Sequence, residues 1–270
     1  MNSAASTILF IDLDGTCMVN PFARQVFPRV MGMLSQACAL PPENLLRQVL
    51  AENAHRQTLP NPLSAAWVWD WDQIVQEIAG RHGIPLGVIP LDICAVLARQ
   101  YAAPPDTATL DEAEVHLCAL RAAHRVLNVA SMGLNVYQRP VLDALGLTEC
   151  FDDFLMPDIT GFQKTERGFF ARYLDDPAAP PHRCYISVGD NFMHDVAAPK
   201  RLGFSAVLRL PVPELESLSP FERPAHIEPF SAHIQRYPAE TGGVLPDAVI
   251  VHLSELAEVV RVLEANAPTG

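Results

Sequence analysis

The sequence predicts an α/β fold, a doubly wound parallel sheet with a helical insertion after its first strand. Three observations predict it. Short apolar runs rich in β-formers alternate with segments of helical periodicity over most of the chain. One long stretch, residues 20–104, contains no convincing strand. The composition suits a buried core, since 49% of the 270 residues are hydrophobic and 7% aromatic.

The first strand is "ILFI" (8–11), four apolar residues that run straight into Asp12. A helical stretch follows. Residues 22–38 show a helical pattern around Pro28. Leu45, Leu46, Val49 and Leu50 mark a second helix, opened by Pro41-Pro42-Glu43. Trp71, Ile74, Val75 and Ile78 mark a third, and Leu91, Ile93, Val96 and Leu97 a fourth. An excursion of about 85 residues is too long for a loop and reads as a helical subdomain. Its hinges are expected near 17–20 and at the Pro104-Pro105-Asp106 return.

Beyond it, helical periodicity at 111–123, 138–145, 166–174 and 254–265 connects strands at 126–130, 153–156, 184–188, 205–210 and 247–252. Parallel strands joined this way imply right-handed crossovers. The expected division is a core of 1–19 with 105–270, and a helical unit of 20–104. Within the core, residues 211–245 carry six prolines (211, 213, 220, 224, 229, 238) and Gly242-Gly243. They read as ordered loop with short turns rather than core.

Charge and composition exclude several classes. No stretch of eighteen uncharged apolar residues is present, so no membrane span is expected. The N-terminal "MNSAASTILF" lacks a basic region and is not a signal peptide. A net charge of −12 repels nucleic acid and anionic membranes, so an anionic substrate needs a local positive device such as a metal ion. The six cysteines (17, 38, 94, 118, 150, 184) show neither C-x-x-C nor zinc spacing, which predicts reduced, buried thiols in a cytoplasmic protein. Lys164 and Lys200 are the only lysines among 19 basic residues.

In a parallel sheet, ligands bind beyond the carboxyl ends of the strands. The first strand ends at Asp12, with Asp14 two residues on. The strand at 126–130 ends at Ser131, and that at 184–188 at Gly189-Asp190, followed by Asp195. If these strands are neighbours, five oxygen-bearing side chains converge, and Lys164 in "TGFQKT" can join them. Crowded carboxylates repel one another and titrate upward. A hard cation with oxygen ligands, Mg²⁺, resolves the conflict. One carboxylate can then attack phosphorus and form an aspartyl-phosphate. The metal and Lys164 would offset charge on the transferring group.

Four ordered pieces, "DLDGT" (12–16), "VASMG" (129–133), Lys164 and "GDNFMHD" (189–195), resemble the haloacid dehalogenase (HAD) superfamily of phosphohydrolases. The resemblance covers about two-thirds of the chain. It implies a Rossmann-like core, and the helical insert is similar in placement to the α-helical cap of the family's first cap class. It implies Asp12 as nucleophile and metal ligand. Asp14 becomes the general acid/base, its carbonyl also on the metal. Asp190 becomes a direct ligand, and Asp195 a further one, directly or through water. The phosphate would be held by Ser131, Met132 and Lys164 and by the backbone of Leu13, Gly15 and Thr16. Departures from the pattern are Thr165 where proline is usual after the lysine, Met132 in place of the commoner amide, and Pro199 within the following helix, which must start late or kink there.

Asp14 disfavours carbon–halogen cleavage, because that reaction protonates no alkoxide and those members lack the second acid. The absence of lysine from 20–104 excludes a Schiff-base phosphonate reaction of the family type. The expected function is therefore Mg²⁺-dependent hydrolysis of a small phosphorylated metabolite by a monomer or homodimer. A sugar-phosphate mutase of the β-phosphoglucomutase type is the alternative, and a non-catalytic binding protein of the same fold is the alternative of another class. The remaining features read as structural. The "WVWDW" cluster (67–71) reads as packing, Arg24, His55 and Arg56 as solvated, His194 as an exposed loop residue, Lys200 as solvated or carboxylate-paired, and Cys17 as a small apolar neighbour of the site.

Overall fold

The computed structural model describes residues 7–59, 63–121, 125–177, 184–239 and 241–267. Residues 122–123 of the helix expected over 111–123, the N-terminal residues before 7, and residue 240 of the 211–245 segment lie outside them.

The elements run β1 (Thr7–Ile11), β2 (Met18–Val19), α1 (Phe27–Cys38), α2 (Pro42–Thr58), α3 (Ala65–Val68), α4 (Trp71–Arg81), α5 (Ile93–Gln100), β3 (Ala108–Thr109), α6 (Ala113–Arg121), β4 (Val126–Ala130), α7 (Asn135–Ala144), β5 (Asp153–Leu155), α8 (Pro157–Thr160), α9 (Ala171–Leu174), β6 (Cys184–Gly189), α10 (Ala198–Arg201), β7 (Ser205–Arg209), β8 (Ala248–Ile250) and α11 (Leu256–Ala265). Six strands form one parallel sheet in the order β5-β4-β1-β6-β7-β8. This is the α/β doubly wound core that the alternating pattern predicts.

β1 is buried at every position, and apolar from Ile8 to Ile11, because both its faces are covered, as in a central parallel strand. Leu9 and Ile11 enter one core cluster. Ile8 and Phe10 enter another on the opposite face, where Phe10 stacks on Phe204 and meets Phe170 edge-on. The strand sits between β4 and β6, so the two adjacent strand ends carry Ser131 and Asp190 to either side of Asp12. The Asp12 N–H still donates to Val188 O at 2.8 Å, extending the ladder by one residue.

Helices α1–α5 gather around their own apolar cluster, built from Val30, Met31, Leu34, Leu45, Val49, Ile74, Val75 and Ile78. Leu134 and Tyr137, at the start of α7 in the core, belong to the same cluster. The Asp70 side chain caps α4 by accepting from the Gln73 N–H at 3.0 Å. No strand falls within 20–104 among the described residues. The two crossings between core and helices are joined by the antiparallel pair β2–β3, two residues on each side. So short a ribbon leaves no periodicity to read.

Three expectations need correction. Arg56 is not solvated: its side chain is fully buried, paired with Glu52 and Glu77 (2.7 Å to the latter), and lies 4.1 Å over the Trp67 ring. Residues 211–245 are ordered turns, as expected, but they also bring a core. Val212, Leu215, Ile227 and Ile234 bury themselves against Phe192, Val196 and Leu208. Arg223 is 2% exposed; it donates to the carbonyls of Leu215, Leu218 and Val249 and forms a two-pronged pair with Glu255 at 2.7 and 2.8 Å. The cysteines are all free thiols, yet only Cys17, Cys94 and Cys150 are buried, Cys38 and Cys184 being half-buried and Cys118 exposed. Lys200 pairs with Asp247 at 2.7 Å, the structural role expected for it. Pro199 is accommodated by a widened π-helical turn, Phe192–Ala197, that gives way to α10 just before it.

Candidate active site

The chain leaving β1 turns sharply between Asp12 and Met18. Gly15 adopts φ +76°, and an added Cβ there would lie 2.2 Å from Asp190 Oδ2. Only glycine lets the Asp190 carboxylate rest against this turn. Arg209, at the end of β7, fixes the turn from behind by donating to Gly15 O at 2.8 Å, while its other nitrogen donates to Asp111 at 2.9 Å. Gly189 plays the matching part at the end of β6, where a Cβ would meet all three Asp195 carboxyl atoms within 2.6 Å.

These close approaches draw three carboxylates together. One oxygen each of Asp12, Asp190 and Asp195 lies within 4.8 Å of the others. Lys164, on the loop after α8, is fully buried; its Nζ stands 3.2 Å from Asp12 Oδ1, and it pairs with Asp195 and donates to Ala130 O. Its own N–H donates to the Met132 sulfur at 3.1 Å, so Met132 helps seat the lysine. Burial opposes the Lys164 charge, but Asp12 and Asp195 outweigh it and hold the ammonium above the usual lysine value.

One ammonium among these acids leaves a net negative charge. Burial raises the Asp12 carboxyl despite Lys164. Burial, reinforced by Asp12, Asp195 and Asp14, pushes Asp190 up to about 8. Burial likewise lifts Asp195 to about 7 against the pull of Lys164. Asp14, at the start of the β2 excursion, accepts the Asn20 N–H at 3.0 Å, and burial raises it to about 6. A divalent cation with oxygen ligands fits this donor set. Asp12 and Asp190 face the same cavity. Asp195 is completely buried, its Oδ2 accepting the Asn191 N–H at 2.8 Å and its Oδ1 facing Lys164, while Gln235 occupies Asp190 Oδ2 at 2.8 Å.

Ser131 lies at the cavity edge. Its Oγ accepts the Gly133 N–H at 3.2 Å, which leaves the hydroxyl proton to be donated into the cavity. The turn contributes less than expected. The Gly15 N–H is used on Met18 O (2.9 Å) and the Thr16 N–H on Leu13 O (3.2 Å). The Thr16 side chain is wholly buried away from the cavity, and Leu13 packs into the core, with only its N–H directed at the Asp12 carboxylate. Gly15 thus acts here by making room for Asp190.

The cavity encloses about 300 Å³, a size for one small molecule. Asp12, Asp14, Ser131, Met132, Asp190 and Asp195 line its floor. Phe22, Phe27, Trp69 and Trp71 of the helical unit form an aromatic wall, and Tyr137 of α7 joins it. Two of the tryptophans read as packing therefore face the cavity. The third, Trp67, stays beneath Arg56. His194 is buried rather than exposed. Burial, with the Arg236 and Lys164 charges, lowers it to about 3, so the ring is neutral, and it stands edge-on to Trp69. Gln235 and Arg236 complete the rim from the segment between β7 and β8. Of the residues expected as hinges, 17–20 contain β2 itself and 103–106 lie just before β3, and Asp14 bridges to Met18 there.

Comparison of the whole fold gives solved structures of one architecture. A HAD phosphatase from Thermococcus onnurineus superposes with TM-score 0.64 at 20% identity, over 94% of this chain and 97% of that one. An L-2-haloacid dehalogenase from Xanthobacter autotrophicus, with chloropropionic acid covalently bound, gives 0.60 at 18% identity, over 95% and 98%. The magnesium-bound HAD protein YfnB of Bacillus subtilis gives 0.60 at 16% identity, over 96% and 99%. No family model and no curated protein matches the sequence. The chain has the fold of the HAD hydrolases, shared by phosphatases and dehalogenases alike.

Proposed function

We propose that this HAD-fold protein hydrolyses a small phosphomonoester through a phosphorylated Asp12, with Mg²⁺ as cofactor. The observation that carries the reading is Asp14. It lies in the same cavity as Asp12, two residues along the chain, and burial raises it to about 6. A carboxyl poised there can give a proton to a leaving alkoxide and take one from water. Dehalogenation leaves a halide, which needs no such proton, so this acid favours the phosphatase over the dehalogenase members of the fold.

In the proposed reaction an Asp12 oxygen attacks phosphorus as the bond from phosphorus to the ester oxygen breaks. Asp14 protonates that oxygen, and the alcohol departs. Asp14 then removes a proton from water, which attacks the phosphorus of the aspartyl-phosphate. Orthophosphate leaves and the Asp12 carboxylate is restored. Lys164 stands beside Asp12 Oδ1 to offset charge on the transferring group, and the Ser131 hydroxyl can donate to a phosphate oxygen. Mg²⁺, held by Asp12, Asp190 and the Asp14 carbonyl, would neutralise the phosphate and keep Asp12 ionised. Asp195 would orient Lys164 and support the metal shell from behind.

The helical unit of 20–104 would act as the cap. It supplies the aromatic wall, and Tyr137 of the core engages it by accepting the Asp72 N–H at 3.1 Å. Such a unit sets the leaving group and excludes water.

The test is phosphate release from p-nitrophenyl phosphate. Turnover is expected with Mg²⁺, lost in EDTA and lost by at least a thousandfold in Asp12→Asn. Hydrogen exchange at 17–20 and 103–106 should slow on binding a phosphate-mimicking metal fluoride. Turnover that survives Asp12→Asn would rule out the covalent route, and unchanged exchange would rule out the cap motion.

A further inference from the structure

We infer that Arg236 is a specificity determinant that receives a second anionic group on the substrate, at the rim of the cavity. The inference rests on the phosphohydrolase reading for the identity of the first group. The position of Arg236 comes from the fold. It lies on the segment between β7 and β8, outside the helical unit, and lines the cavity beside Trp69 of the aromatic wall. Its backbone is left-handed, φ +51°, a conformation that is costly for a residue with a side chain and that persists only where the surroundings enforce it.

The contacts that hold the guanidinium are all neutral. It donates to Gln57 Oε1 on α2, stands 3.5 Å from His194 Nε2, and lies 5.9 Å from the Trp69 ring centre. Among the described residues no carboxylate lies within ion-pair reach of it, although the chain carries 31 acidic residues. Other arginines at structural positions here have acidic partners: Arg56 has Glu52 and Glu77, Arg209 has Asp111, and Arg223 has Glu255. Lys164, the other cation near the cavity, is engaged beneath Asp12 and Asp195. Arg236 thus presents a fork of donors at the rim of a cavity whose floor carries Asp12, Ser131 and Asp190. The aromatic side chains of Phe22, Phe27, Trp69 and Trp71 that line the same cavity favour a planar or apolar spacer.

The ligand is therefore a phosphomonoester bearing a carboxylate or a second phosphate. The experiment measures binding, with Mg²⁺ present, of benzylphosphonate, 4-carboxybenzylphosphonate and 1,4-xylylenediphosphonate by calorimetry. The wild-type protein is expected to bind at least one doubly anionic ligand about ten- to a hundredfold tighter than benzylphosphonate, as a charge-assisted contact implies. The tighter of the two identifies carboxylate or phosphate as the second group. In Arg236→Gln that ratio should fall toward one, and Arg236→Lys should restore part of it. A wild-type ratio at or below one, or a ratio retained in Arg236→Gln, would overturn the assignment. Because binding is read without turnover, failure of the hydrolysis reading would appear separately, in the Asp12→Asn assay.

Discussion

Replacing Asp190 by asparagine is expected to stabilise the metal-free protein while removing the proposed phosphohydrolase activity. Burial, then the charges of Asp12, Asp195 and Asp14, raise the Asp190 carboxyl from 3.8 to about 8. At about 1.4 kcal/mol per tenfold change in proton affinity, holding that group at pH 7.5 disfavours the folded state by on the order of 5 kcal/mol. Part of the penalty stays with Asp12 and Asp195 and part is relieved by solvent at the cavity mouth, so an amide should recover about 2–3 kcal/mol. The amide keeps the geometry, since its oxygen can still accept from Gln235 Nε2, now at 2.8 Å from Oδ2. The folded-state value is raised, so this contribution to stability is fully present below about pH 4 and is lost as pH climbs toward about 8. In EDTA at pH 7.5, Asp190→Asn should melt roughly 4–6 °C above the wild type for a chain of this size. The gap should close as pH approaches 4. Adding Mg²⁺ should raise the wild-type melting temperature and leave the variant unmoved. A variant that melts at or below the wild type in EDTA at pH 7.5, or a gap independent of pH, would refute the reasoning.

Two further outcomes follow from buried cations. Lys164→Met leaves Asp12 and Asp195 facing each other without their shared ammonium, and should cost about 3–5 kcal/mol in urea unfolding. Adding Asp12→Asn should return part of that loss, so strictly additive single effects would count against the pairing. Arg223→Leu should cost a similar amount, about 3–5 kcal/mol, by orphaning Glu255 and three carbonyls. Its signature is faster hydrogen exchange confined to the turns of 213–233 and the start of β8; protection equal to the wild type's would refute it.

Much of the floor of the site was legible in the sequence because strand ends announce themselves. An apolar run that stops at a carboxylate can be read locally, and the parallel sheet then puts neighbouring strand ends side by side. Asp12, Ser131 and Asp190 come together for that reason, and Asp195 and Lys164 close over them. The rim was not legible. Gln235 and Arg236 reach the cavity only because the 211–245 segment folds back, with Phe192 N–H donating to Gln235 O at 2.9 Å, and a Pro-rich stretch carries no periodicity that reports such a return. Arg56 and Arg223 were misplaced or overlooked for a related reason. Arg56 has one local partner, Glu52, but its other, Glu77, lies 21 positions away, and Glu255 lies 32 from Arg223; such distant partners cannot be read from a local pattern. Trp69 and Trp71 sit on the face of a helical unit that looks at another part of the chain, which helical periodicity does not register.

The central placement of β1 also has a temporal side. The strand made first lies in the middle of the finished sheet, and its two neighbours are β4 and β6. On a ribosome, Thr7–Ile11 therefore emerges long before either edge it must join, and the whole helical unit is synthesised in the interval. Asp12 and Asp190 stay strangers until β4 and β6 have both been made. Their mutual repulsion is thus met late, when Lys164 has already been produced to moderate it.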